Sequence, residues 1–230
     1  MSALRNSILF LVALSLSGCS LLTSGQPQSH RPLEILGTLP AQHAQALLVI
    51  ADDIRPGRAS ISAWEREDGE WMEKFSPMSA VLGRNGLAAS GEKREGDGRT
   101  PAGIYQIKRA FGYAPRVDTR LDYRQATAND FWVDDPASAQ YNQWVTGAPP
   151  AVSHEILRRD DRLYQYAVVI EYNTAPVVPG RGSAIFLHVW RGKGIPTAGC
   201  VAVSPKNMQK FLKWLDLPRN PVIILSDDQD

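Results

Sequence analysis

Apolar and polar residues alternate along much of this chain with the period of a half-buried strand. Residues 59–66 alternate, Asp68-Gly69 supplies a turn, and residues 70–75 resume the pattern, which predicts a β-hairpin. Short apolar runs at 46–51, 103–107, 165–172 and 184–189 predict further strands, and residues 221–225 supply a last one. Near the end the period changes to that of a helix. Met208, Phe211, Leu212 and Leu215 recur at i, i+3, i+4 and i+7 within residues 205–215, so one apolar face is expected to pack on the core. Ser204 is placed to cap that helix, Pro205 fits its first position, and Leu217-Pro218 ends it. A shorter helix is expected over residues 41–46, just after Pro40. Many strands and few helices predict a mainly β domain.

The first apolar run has a different character. Arg5 precedes apolar residues 8–14, a run too short for a spanning helix, which needs about 20 apolar residues. The pattern is that of an export signal over residues 1–19. The segment ends Leu16-Ser17-Gly18-Cys19, which resembles the bacterial lipoprotein signal. That resemblance implies lipidation of Cys19, loss of residues 1–18 and attachment to a membrane by an N-terminal lipid anchor. Ser20 follows rather than aspartate, which in a Gram-negative host implies sorting to the outer membrane, facing the periplasm. The plainer alternative is an ordinary secretory peptide with an incidental cysteine. Residues 20–39 are expected to be a flexible tether. Residues 40–230 are expected to form one domain, since no internal repeat or second linker interrupts them.

Composition narrows the function. Of 230 residues, 43% are hydrophobic, enough for one sizeable core. The 25 Lys and Arg residues face 24 Asp and Glu residues, and only Arg5 is charged within residues 1–18. The exported part is therefore balanced, which gives no electrostatic case for a nucleic-acid partner.

Cysteine usage points to chemistry. Besides Cys19 the chain has one cysteine, Cys200, which follows His188 by 12 residues. An unpaired thiol in an oxidising compartment is a liability unless it is buried or used. A cysteine nucleophile needs a proton acceptor and donors for a developing oxyanion. His188, at the end of a strand, is the candidate acceptor, and a backbone carbonyl suffices to orient its ring. The backbone N–H groups of Gly199 and Cys200 are the candidate oxyanion donors. Spacing alone leaves two readings open, a catalytic thiol or a free cysteine buried on a core strand.

Residues 184–188 followed by Pro196-Thr197-Ala198-Gly199-Cys200-Val201-Ala202 resemble the YkuD-type L,D-transpeptidase catalytic domain, in its subgroup with a Thr-Ala-Gly-Cys segment. Residues 95–105, Asp134-Asp135-Pro136 with Tyr141-Asn142, and Tyr172-Asn173 ahead of residues 179–183 agree in order and span. The resemblance implies a YkuD-like β-sandwich with a few short helices, including one after the cysteine. It implies Cys200 as nucleophile, His188 as general base, a thioester on peptidoglycan tetrapeptide stems, release of D-alanine, and susceptibility to carbapenems. The thioester then passes to an amine, of a neighbouring stem or of a lipoprotein. No cofactor and no metal are implied. The same site can hand its thioester to water, as an L,D-carboxypeptidase or a peptidoglycan amidase. A reading of another class is a non-catalytic peptidoglycan-binding lipoprotein.

Two departures from the common family pattern stand out. It has Ser-His-Gly-Cys with an arginine two residues on, whereas here Thr197-Ala198-Gly199-Cys200 precedes Val201-Ala202. Arg191 is a candidate replacement cation that lowers the thiol pKa and holds a substrate carboxylate, or else a solvated loop arginine. Trp190 is expected at the site rim. Thr197 is a further candidate contact to substrate. Asp134 and Asp135 are candidates for gripping a substrate ammonium, or else an acidic pair capping a loop. Residues 96–101 lack the Gly-Lys-Ser/Thr of a P-loop and read as a turn entering a strand. His154-Glu155 lacks the second histidine of a zinc-protease motif and is expected at the surface. His43 is expected on an exposed helix.

Overall fold

The computed structural model describes residues 31–227, and within them the alternating pattern becomes strands. Helix α1 (Arg31–Gly37) is followed by β1 (Gln45–Ala51), β2 (Arg58–Glu67), β3 (Glu70–Val81), β4 (Leu87–Ala88), β5 (Thr100–Pro101), β6 (Gly103–Gly112) and β7 (Asp122–Gln125). Then come β8 (Asp130–Val133), β9 (Trp144–Thr146), β10 (His154–Ile156), β11 (Tyr166–Ile170), β12 (Phe186–Val189), β13 (Val201–Val203), helix α2 (Pro205–Trp214), a 3-10 turn (Leu217–Arg219) and β14 (Val222–Ser226).

Nine strands pair in the order β11-β12-β13-β3-β2-β1-β14-β6-β7, and a further pairing of β6 with β11 closes eight of them into a ring. A three-stranded sheet, β10-β8-β9, lies apart from it. The domain is mainly β, as the alternation and the family resemblance predict. The β2–β3 hairpin turns at Asp68 (φ 49°) and Gly69 (φ 87°), with Glu67 opposite Glu70. Two successive left-handed residues match the right-handed twist of the flanking strands. Ser204 caps α2 by accepting from the Asn207 N–H, and Met208, Phe211 and Leu212 are buried beneath it.

The N-terminal boundary differs from expectation. Residues 31–37 are helical, and Leu36 and Leu39 pack with Ala46, Leu48, Trp64, Val222 and Ile224. Residues assigned to the tether therefore belong to the folded unit. The reason lies in β1, whose Leu47 and Val49 enter the main core while Ala46 and Leu48 face the other way. A strand buried on both faces reads as a continuous apolar run, and α1 is what covers its second face. The helix expected over residues 41–46 is instead a turn leading into β1. His43 is 9% exposed, with Nδ1 2.8 Å from the Asn220 carbonyl, and is not on an exposed helix.

Two cores meet at β12 and β13. Leu187, Val189, Val201 and Val203 join the larger core, with α2 against it. Phe186 and Cys200 join a second, aromatic core with Phe111, Trp132 and Tyr164. The three-stranded sheet covers that second core, and Asp130 on β8 ties it together. The Asp130 carboxylate accepts from the Thr127 N–H and hydroxyl, the Thr146 hydroxyl and Trp144 Nε1. Burial opposes its ionisation, yet the hydrogen bonds from Thr127, Thr146 and Trp144 prevail and hold the carboxyl at about 2. A depressed carboxyl stabilises the fold above its unfolded pKa, and that contribution fades as pH falls toward 2. Asp130→Ala should cost about 3 kcal/mol in urea unfolding at pH 7 and clearly less at pH 2.5. An equal cost at both pH values would show that the charge is not what matters.

Candidate active site

Strands β12 and β13 run parallel, with His188 opposite Ala202. Cys200 lies two residues before Ala202, so the alternation of side chains along a strand sends Cys200 and His188 to one face. From strand spacing and rise the two residues stand roughly 8 Å apart on the diagonal, a gap that the two side chains can bridge. Both open into a cleft of about 500 Å³ that is also lined by Lys93, Asp134, Glu155, Arg159, Tyr164 and Ala184.

Cys200 is 9% exposed. Its thiol donates to the Ala184 carbonyl at 3.3 Å, and Sγ accepts from the Phe186 N–H at 3.4 Å. Burial pushes the thiol up to about 12, against the smaller opposing effect of the Phe186 N–H. His188 is 4% exposed, with Nδ1 2.8 Å from the Val189 carbonyl. A carbonyl only accepts, so the proton of the neutral ring sits on Nδ1 and the lone pair on Nε2. Burial lowers His188 to about 4, against the Val189 carbonyl, which favours the charged ring. The resting pair is therefore neutral, not a thiolate–imidazolium pair. Iodoacetamide alkylation of Cys200 should accelerate about tenfold per pH unit between pH 6 and 10, following the thiolate fraction. A rate plateau between pH 5 and 8 would reveal a preformed ion pair instead.

The loop before Cys200 is held from several sides. Thr197 donates its hydroxyl to the Cys200 carbonyl at 2.6 Å and accepts from the Gly199 N–H at 3.1 Å. Its backbone bonds to Leu82 and Arg84. Thr100, fully buried, reaches the Cys200 carbonyl at 3.4 Å and accepts from the Gly83 N–H. A Cβ at Gly199 would stand 3.1 Å from the Arg99 carbonyl, a close approach that favours glycine. Residues 96–101 thus form a turn entering β5 that buttresses this loop.

The wall behind the sulfur is as firmly built. Ala184 has φ 52°, unusual for a residue with a side chain. Asn142 Oδ1 accepts from the Ala184 N–H at 3.1 Å and from Trp132 Nε1 at 2.8 Å, and Asn142 Nδ2 donates to the Tyr172 and Asn173 carbonyls. Glu95 accepts from the hydroxyls of Tyr141 and Ser183. Segments far apart in sequence therefore converge on the residue whose carbonyl accepts the thiol's hydrogen bond.

The other sequence candidates divide. Arg191, Thr197 and Asp134 line the cleft, whereas Trp190 and Asp135 do not. Asp135 caps a turn by accepting from the Ala137 N–H. The Arg191 side chain is 65% exposed and lies 3.8 Å from Asp161, and the cations acting on the thiol are Lys93 and Arg159. The Gly199 N–H is already donated to Thr197, so it is not a free oxyanion donor. Cys19 lies outside the described residues. Glu155, expected at the surface, instead faces the cleft from β10. Burial raises its carboxyl pKa, with Arg159 opposing and Asp134 adding to the shift. Lys93, Glu155, Arg159 and Tyr164 carry no sequence signal, because loops bring Lys93, Arg159 and Tyr164 to the cleft and the pairing of β10 with β8 brings Glu155.

Comparison with known proteins places the cleft in a family. The family model YkuD, described as the L,D-transpeptidase catalytic domain, matches residues 62–224, a range that contains every residue lining the cleft. Two solved structures are similar, both of the helical cell shape determining protein Pgp2 from Campylobacter jejuni, one of them a mutant. Each is 17% identical with a TM-score of 0.42, and the match covers 81% of this chain and 49% or 48% of the other. The chain spans about half the length of those structures. No curated protein matches it.

Proposed function

Because the chain belongs to the YkuD family of L,D-transpeptidase catalytic domains, we propose that it is a cysteine acyltransferase acting on peptidoglycan tetrapeptide stems. One observation carries the reading: the Cys200 thiol and a His188 ring with its lone pair on Nε2 share one face of one cleft.

The chemistry starts from the neutral pair. The thiol turns from the Ala184 carbonyl, His188 Nε2 takes its proton, and Sγ attacks the carbonyl of the L-centre of diaminopimelate. The Cys200 N–H is the oxyanion donor that remains, since Thr197 engages Gly199. Collapse of the tetrahedral intermediate breaks the bond to D-alanine, whose amine leaves with the proton from His188. An amine acceptor then attacks the thioester, gives a proton to His188, and the departing sulfur is reprotonated. Arg191, Thr197 and Asp134 line the same cleft and are the proposed contacts to the stem peptide.

The test uses the full chain with disaccharide-tetrapeptide, read by mass spectrometry with Cys200→Ala as control. Cross-linked dimer with released D-alanine is the expected result. Tripeptide with D-alanine would make the protein a carboxypeptidase. No Cys200-dependent product would favour the non-catalytic reading. The proposal extends to location: lipidation at Cys19 would hold the domain at the outer membrane of a bacterial envelope, facing the periplasm. Palmitate labelling that survives Cys19→Ala would overturn that part.

A further inference from the structure

Tyr164 lies outside the chemistry described above, yet it is the aromatic neighbour of His188. Its ring meets the imidazole edge-on, with centroids 5.1 Å apart and planes at 82°. The ring is itself fixed. It is 6% exposed and packs edge-on against Phe186 and Phe111 at 5.5 and 5.9 Å. Next to it, the Leu163 carbonyl accepts from the Val189 N–H at 3.1 Å, so the chain carrying Tyr164 is pinned to β12 one residue beyond His188.

The hydroxyl end is anchored as well. Tyr164 donates to Glu155 Oε2 at 3.3 Å, and Arg159 donates to the same oxygen at 3.2 Å. The Arg159 guanidinium lies 5.3 Å from the centre of the Tyr164 ring and is forked onto Asp161 at 2.9 and 2.7 Å. The ring is therefore held at both ends, by the aromatic core below and by an ion-paired group above.

His188 needs such a wall. The Val189 carbonyl fixes Nδ1 and the Leu163 carbonyl also acts on the ring, but carbonyl contacts at the ring edge leave the imidazole plane free to tilt. A flat, immobile neighbour removes that freedom. We infer that Tyr164 is a positioning residue for His188, its ring holding the imidazole so that Nε2 stays turned toward Cys200 while Glu155 and Arg159 hold the ring. The inference rests on the reading of His188 as the base that serves Cys200.

The test compares Tyr164→Leu, which removes the flat ring, with Tyr164→Phe, which keeps it. Carbapenem acylation of Cys200 is followed by mass spectrometry from pH 3 to 9, per folded molecule. Tyr164→Leu should acylate roughly 10- to 100-fold more slowly at pH 7, the scale of loss when a catalytic group is misplaced by about 1 Å. Its pH inflection should move up from about 4 toward the ordinary imidazole value of 6.5, because water reaches the ring. Tyr164→Phe should stay within about threefold of the unaltered protein, with the inflection unchanged, because Phe186, Phe111 and the Arg159 guanidinium still hold the ring without the hydroxyl. A merely structural tyrosine would alter the amount of folded protein and neither of these quantities. A Leu variant that acylates at the unaltered rate overturns the inference, and so does a Phe variant as slow as the Leu variant. Nitrogen NMR of His188 supplies an arm that needs neither turnover nor a folded variant. The unaltered protein should carry its ring proton on Nδ1 alone, and a proton on Nε2 would overturn the inference. If carbapenem leaves the unaltered protein unlabelled, the proposed acyl transfer fails, while the NMR arm still decides the orientation of the ring.

Discussion

Cys200→Ala should lower D-alanine release by at least about 10³-fold and abolish carbapenem labelling, with the fold intact. The size of the loss follows from the chemistry, because the substitution removes the atom that forms the thioester and no neighbouring group can replace it. Among the described residues Cys200 is the sole thiol. The nearby hydroxyl of Thr197 is committed to the Cys200 carbonyl. Stability should change little. The sulfur's two polar contacts are long, at 3.3 and 3.4 Å, and the site lies at the edge of the aromatic core. A cost of about 1 kcal/mol is expected for the small cavity left behind. Thermal unfolding of the variant within a few degrees of the unaltered protein, with no product by mass spectrometry, is the outcome to look for. Product formed at more than a few per cent of the normal rate by the alanine variant would remove Cys200 from the nucleophile's role.

What could be read in the sequence was what local physics dictates. The Asp68-Gly69 turn demands two left-handed residues, and its flanking strands follow from alternation alone. Helix α2 announces itself by its cap, its proline and its apolar stripe. The pairing of His188 with Cys200 was legible in part, since one residue ends an apolar run and the other follows a glycine. Their shared face depended on β12 and β13 being parallel neighbours, which spacing does not encode. The errors share a cause. Helix α1 looked like tether because its two core residues, Leu36 and Leu39, are isolated in a polar stretch, and what makes them core is the far face of β1. Gly199 looked free to receive an oxyanion until Thr197, two residues away, proved to occupy its N–H. Arg191, open to being a replacement cation or a solvated loop arginine, is the exposed one, whereas Lys93 and Arg159 act on the thiol from loops about 107 and 41 positions away. Contacts of that range are set by topology, and topology is what a single sequence states least directly.

His188→Ala should slow acylation of Cys200 by about 10²- to 10⁴-fold, the usual contribution of a positioned general base. The pH profile is the sharper readout. Burial holds His188 at about 4, so the ring carries a proton and cannot accept one below that value. Acylation by the unaltered protein should rise through pH 4 and then level off. In the alanine variant nothing accepts the thiol proton except hydroxide. With the thiol pushed up to about 12, its rate should climb about tenfold per pH unit through neutrality and approach the unaltered rate only in strong alkali. Stability should also fall on acidification. A histidine whose pKa is lower folded than unfolded contributes its stability above the unfolded value of about 6.5, and that stability is lost as pH falls through about 4. The alanine variant lacks this term, so its deficit against the unaltered protein should shrink between pH 6.5 and 4. An unchanged acylation rate would exclude His188 as the base. A slow but pH-independent rate in the variant would mean that another group lining the cleft, such as Glu155, takes the proton. The two burial effects act together. They keep the pair neutral at rest and confine charge separation to the moment when a substrate carbonyl is present to receive the sulfur.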